Sequence, residues 1–156
     1  MLQKFTFFFL IAFSGLTVSA QGTETFTNIP ASSSSYSTRN WPGDNGITWT
    51  ATDARTDQTL SGSRAIGYRN GTLTSGTIAG GIGNLSFKYL YLFSGVPASL
   101  TVRVNGSVIG TVAIPVSVTP ATATFNNINI SGNVVIEIQQ TVSGQRVAID
   151  DLTWTA

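Results

Sequence analysis

Apolar and polar residues alternate with a period of two along most of the chain after Gln21, and no stretch there carries apolar residues at helical spacing. The clearest run is Leu100-Thr101-Val102-Arg103-Val104, then Asn105-Gly106, then Ser107-Val108-Ile109-Gly110-Thr111-Val112. Asn-Gly supplies both positive-φ residues of a type I′ turn, whose twist matches the flanking strands, so this segment predicts a hairpin. Asn70-Gly71 predicts a second one between 64–69 and 72–75. Further strands are predicted at 24–28, 47–51, 85–93, 121–130, 134–141 and 147–154. Within 87–93 the alternation places the aromatic residues on one face and Lys88, Leu90 and Leu92 on the other. Ser32 to Ser35 and Pro42-Gly43-Asp44-Asn45-Gly46 concentrate turn-forming residues and read as surface loops. Strands at this density in one chain predict an all-β fold of two packed antiparallel sheets, with no internal repeat and no second domain.

Composition adds a compartment. The first twenty residues carry one cation, Lys4, an apolar run from Phe7 to Phe13, and small residues through Val18-Ser19-Ala20, the layout of a secretory signal. Residues 1–20 are expected to be removed, leaving 21–156 as a secreted or periplasmic domain. With no cysteine, stability has to come from a packed core. Loss of Lys4 brings the Lys and Arg residues down from eight, matching the seven Asp and Glu. The remaining cations are scattered singly, which argues against nucleic acid, since a phosphate-binding surface needs clustered positive charge. The abundance of Ser, Thr, Asn and Gly suits neutral polar contacts at an extracellular surface.

The absence of histidine and cysteine removes the catalytic triad and every imidazole or thiolate ligand. Two carboxylates could still hydrolyse a glycan. Adjacent strand residues point to opposite faces, however, so Asp150 and Asp151 share a cleft only if a bulge intervenes. Gly76 to Gly83 lacks the following helix that a phosphate loop requires and reads as tight turning. Asp150 and Asp151 are candidate oxygen ligands for calcium, with Asp44 and Glu24 as companions. The competing reading has Asp150 accepting hydrogen bonds from a neighbouring loop while Asp151 faces water. Tyr36, Trp41, Tyr68 and Tyr91 are candidates for stacking against sugar rings, whereas Trp49 and Trp154 lie in strongly patterned strands and are expected in the core.

Several segments together resemble a jelly-roll domain of secreted bacterial proteins: Glu24-Thr25-Phe26, Gly43-Asp44-Asn45-Gly46-Ile47-Thr48-Trp49, Ala54-Arg55, Gly81-Ile82-Gly83-Asn84-Leu85-Ser86-Phe87, Val102-Arg103-Val104-Asn105-Gly106 and Val147-Ala148-Ile149-Asp150-Asp151-Leu152-Thr153-Trp154. The last strand is also similar to that of the MAM adhesion domain, without that family's cysteines. The resemblance implies a jelly-roll β-sandwich of the carbohydrate-binding type, with a structural calcium between first and last strands held by Glu24, Asp150 and Asp44. The function expected is therefore a secreted, non-enzymatic module for extracellular carbohydrate or matrix. The alternatives are an adhesive or structural protein that binds another protein through a sheet face or edge, and a small glycan hydrolase or lyase using two carboxylates.

Overall fold

The computed structural model describes residues 21–156; the expected signal segment 1–20 lies outside the described residues. Eleven strands follow one another: β1 Gln21–Glu24, β2 Ser37–Pro42, β3 Thr48–Leu60, β4 Ser63–Tyr68, β5 Thr72–Ser75, β6 Asn84–Tyr91, β7 Ala98–Val104, β8 Ser107–Ile114, β9 Ala121–Phe125, β10 Ile136–Gln140 and β11 Val147–Thr155. All pairings are antiparallel, in the order β8-β7-β10-β5-β3-β4-β11-β6-β9, with β1 beside β11 and β2 beside β3. This continuous ribbon folds over one core as the jelly-roll sandwich expected from the sequence, its layers meeting through Leu73, Leu100, Val102 and Ile138 from one and Ile66, Phe87, Ile149 and Leu152 from the other.

The fold turns on β3. Its first half pairs with β5 and its second with β4, so the strand leaves one sheet and enters the other. The change of direction occurs at Asp53, whose backbone is left-handed (φ 46°), a conformation costly to a residue with a Cβ. Its carboxylate accepts hydrogen bonds from Arg69 Nε at 3.0 Å, Arg69 Nη2 at 2.9 Å and the Asn70 amide at 3.0 Å, closing the corner from the opposite strand.

Asn70-Gly71 therefore does not form the hairpin turn that the dipeptide predicts. β4 and β5 do not pair with each other; both run along β3, and Asn70-Gly71 is the outside of the corner between them. Gly71 is needed because a Cβ there would overlap the Thr52 carbonyl. The other Asn-Gly behaves as predicted: Val104 pairs with Ser107 across Asn105 (φ 50°) and Gly106 (φ 77°), joining β7 to β8.

Strand boundaries also move: β3 runs on to Leu60, beyond the predicted 47–51, and β2 falls where no strand is predicted. Phe26, at φ 55°, ends the first strand early. Asn127 and Asn129, also left-handed, break the predicted 121–130 strand after Phe125. β6 stops at Tyr91, which leaves Phe93 in a loop. The Gly76–Gly83 segment is tight backbone packing, as expected: Ile78 bridges Val134, Ile82 bridges Ile130, and a Cβ on Gly81 would overlap the Ile130 carbonyl.

Because the Gly71 site has backbone on one side, Gly71→Ala is expected to cost about 2–3 kcal/mol in urea denaturation, whereas Gly106→Ala, facing open space, should cost about 1 kcal/mol through its positive φ alone.

Candidate functional site

Of the four aromatic candidates, the fold keeps three for itself. Trp41 is buried against Phe26, with ring centres 5.9 Å apart, and donates from Nε1 to Glu24 at 3.2 Å. Tyr68 is wholly buried, its hydroxyl donates to the Ile138 carbonyl at 3.0 Å, and burial pushes its pKa up. Tyr91 is buried and donates to Gln145 Oε1 at 2.6 Å. All three sit on inward-facing strand positions, and Tyr91, 5% exposed, reaches a small pocket lined also by Tyr89, Ile114 and Pro115. Trp49 and Trp154 are core residues, as expected.

Tyr36 has a different setting. Its loop is pinned to β3: Thr56 donates from its amide to the Ser33 carbonyl and from its hydroxyl to the Ala31 carbonyl. Arg39 completes the brace, reaching the Ala54 carbonyl, the Ser35 carbonyl and the Ser33 and Ser35 hydroxyls. Tyr36 thereby lines an open cleft of about 300 Å³ together with Arg55, Phe93, Ser94 and Arg146.

Cations and rings alternate through this cleft. Arg69 stands 4.4 Å from the centre of the Tyr36 ring, Arg55 stands 5.5 Å from Tyr36 and 5.0 Å from Phe93, and Arg146 stands 5.8 Å from Phe93. Each contact attracts the guanidinium to the negative ring face, worth about 0.5–1 kcal/mol where exposed. Arg55 also holds Asp57 in a two-pronged ion pair, with Nε to Oδ1 at 2.6 Å, which lowers the Asp57 pKa to about 2. Gly67 lets Arg55 lie across β4, since a Cβ there would press on the Arg55, Gln58 and Leu92 side chains.

Phe93 is the residue that the periodicity missed. It is 55% exposed and holds φ at 67°, an uncommon backbone for a bulky residue and one that occurs where the surroundings impose it. The signal was the turn composition of Ser94-Gly95 and Pro97 immediately after it, which ends the strand before Phe93 rather than beyond it. Leu92, on the outer face with Leu60, Ala65 and Ala148, is covered by that small cluster, so the Leu90–Leu92 side presents little open apolar surface.

The four candidate calcium ligands fall into two pairs. Glu24 is buried, and its oxygens accept from the Phe26 amide at 2.9 Å, Trp41 Nε1 at 3.2 Å and the Asp44 amide at 3.1 Å. Asp44 accepts from the Thr25 amide at 2.8 Å, the Thr25 hydroxyl at 2.6 Å and Asn28 Nδ2 at 3.3 Å. Asp150 and Asp151 straddle a bulge in β11, with Asp151 at φ 46°. Asp150 is buried and accepts from the Ser63 hydroxyl and, at 2.8 Å, from the Asp151 amide; Asp151 pairs with Lys88 at 2.7 Å.

Among the described residues no three such acids come together, so Glu24 with Asp44 and Asp150 with Asp151 are separate pairs rather than one four-carboxylate cluster. Calcium needs six to eight oxygens, whereas the Glu24 carboxylate is engaged by three N–H donors, which have no lone pair to offer a cation. Burial raises the pKa of both Glu24 and Asp150 despite those hydrogen bonds.

No family model matches the chain, and no curated protein matches it. Solved structures do. The CBM36-1 domain of a multidomain xylanase from the hindgut metagenome of Trinervitermes trinervoides superposes with a TM-score of 0.54 at 16% identity, over 88% of this chain and 97% of that one. A family 36 carbohydrate-binding module in complex with calcium and xylotriose gives 0.52 at 12% identity, over 88% and 99%. A family 6 carbohydrate-binding module gives 0.50 at 24% identity, over 65% and 80%. Some longer enzyme chains are matched only in part: the chain spans 34% of a family two carbohydrate esterase from Cellvibrio japonicus. What these likenesses establish is the fold.

Two outcomes follow from the acids. Glu24 and Asp150, raised in the folded state, contribute stability that is complete below about pH 4 and is lost as the pH rises through their folded values. Asp53 and Asp57, lowered by Arg69 and Arg55, contribute above about pH 4 and lose that contribution as the pH falls toward 2. Urea denaturation across pH is thus expected to place maximal stability on the acid side of neutral, with Asp150→Asn flattening the decline above it. Thermal melting is expected to be the same in millimolar calcium and in chelator, while Glu24→Gln lowers it in both; a rise with the logarithm of calcium concentration would restore the metal site.

Proposed function

We propose that the protein is an exported, non-enzymatic binding module for extracellular glycan, and that its ligand site is the cleft between Tyr36 and Phe93. The observation that carries this reading is Phe93: a large apolar ring, more than half exposed, held in left-handed backbone at the mouth of a cleft that already contains a second ring. An exposed aromatic face matches the C–H face of a pyranose, and polar groups beside it can take hydroxyls. The shared fold of the carbohydrate-binding modules supports the reading. Export to the periplasm or medium rests on the layout of residues 1–20, and no helix among the described residues is long and apolar enough to cross a membrane.

A protein partner is the second reading, favoured by Val116 (51% exposed) and Val118 (93% exposed) on the loop between β8 and β9. Binding of the protein to immobilised polysaccharides, with calcium and with chelator, decides between the two. The expected result is glycan binding that is indifferent to chelator and at least about tenfold weaker in a Phe93→Ala protein that still melts cooperatively. Binding lost instead in Val116→Ser/Val118→Ser, or no glycan bound at all, would move the assignment to a protein partner.

A further inference from the structure

We infer that the glycan carries a carboxylate, a uronic acid in the bound unit, and that Arg146 is the residue that reads it. This rests on the proposed glycan cleft and names the chemistry of its ligand. Each cation in the alternating row has a different account. Arg69 is neutralised by Asp53 at 2.9 Å and Arg55 by Asp57. Arg146, at the end of the row, is in no ion pair among the described residues, and its guanidinium makes no hydrogen bond there. Its one partner is the Phe93 ring at 5.8 Å, near the outer limit of such contacts, so the group is weakly held and can turn toward a ligand.

The lining explains why an acidic sugar suits the cleft. Arg55 and Arg146 bring guanidinium N–H groups, which only donate, Ser94 brings a hydroxyl, the Tyr36 hydroxyl is buried away from the opening, and no carboxylate is among the lining residues. A neutral sugar hydroxyl can accept from such a surface but finds few side-chain acceptors for its own proton. A carboxylate on the pyranose supplies acceptors alone and fits the planar fork of a guanidinium through two parallel hydrogen bonds. Phe93, in contact range of Arg146, then supports the ring of the same unit. The site has three guanidiniums against two carboxylates, and the surplus charge is Arg146 itself.

The test compares oligogalacturonate, its methyl ester, a neutral xylan and dextran sulfate by titration calorimetry, using the wild-type protein, Arg146→Gln, Arg146→Lys and Phe93→Ala, with melting as the check on folding. The expected result is oligogalacturonate bound at least tenfold more tightly than its ester or xylan, reduced to the ester's level by Arg146→Gln and partly restored in Arg146→Lys, which keeps the charge without the fork. Phe93→Ala should weaken acid and ester alike. Equal affinity for acid and ester, or an Arg146→Gln protein that binds the acid unchanged, overturns the carboxylate inference and leaves the glycan reading standing. Dextran sulfate bound as tightly as the uronate also overturns it, in favour of general anion attraction. Failure of every polymer to bind, or binding untouched by Phe93→Ala, overturns the cleft itself.

Discussion

One strand belongs to both sheets, and the molecule depends on the way it turns. β3 cannot leave one layer for the other without a sharp change of direction, and Asp53 makes that change in a backbone conformation which a side chain disfavours. Arg69 and the Asn70 amide hold the carboxylate and offset the strain. The same turn builds the cleft. It carries Arg55 away from the core two residues later and leaves Arg69 on the outside of the corner, with Tyr36 between them. Scaffold and candidate site thus share one ion pair, Asp53 with Arg69.

The acids with raised pKa values serve as internal braces. Glu24 gathers three N–H groups from two loops and a tryptophan, which fixes the entry of the chain beside β11 and seats Phe26 and Trp41 in the core. Hydrogen bonds to a charged acceptor stabilise by about 1.5–3 kcal/mol each, and here they are set against desolvation of the carboxylate. Asp150 does the corresponding task at the bulge in β11, where it ties that strand to Ser63. The bulge lets the two adjacent aspartates depart from strict alternation, one buried and one paired with Lys88. Asp150 accepts its hydrogen bonds from Ser63, at the start of β4, and from the adjacent Asp151 amide, not from a neighbouring loop, and Asp151 pairs with Lys88 instead of simply facing water.

The candidate cleft is a shaped surface braced from several sides. Its rings are held in place by guanidiniums, Arg55 and Arg69 by Asp57 and Asp53, and the loop that bears Tyr36 by Arg39 and Thr56. Arg55, Arg69 and Tyr36 are thereby ordered before anything enters the cleft, which limits the entropy they lose on binding.

The amino-acid sequence by itself determined what depends on neighbours along the chain. Period-two alternation is local, so the strands of the two-sheet fold were legible, and the Asn105-Gly106 hairpin followed from two residues whose backbone preference matches the turn. The identical dipeptide at Asn70-Gly71 forms a corner instead, because the Thr52 carbonyl and the Asp53 carboxylate, distant in sequence, press and bond against it. Trp41, Tyr68 and Tyr91 had the right chemistry for stacking, but burial, a property of the packed layers, took them out of reach. The cleft was decided only by the tertiary structure: Tyr36, Arg55, Arg69, Phe93 and Arg146 come from five separate segments, and no local pattern encodes the order in which folding stacks a ring on a cation.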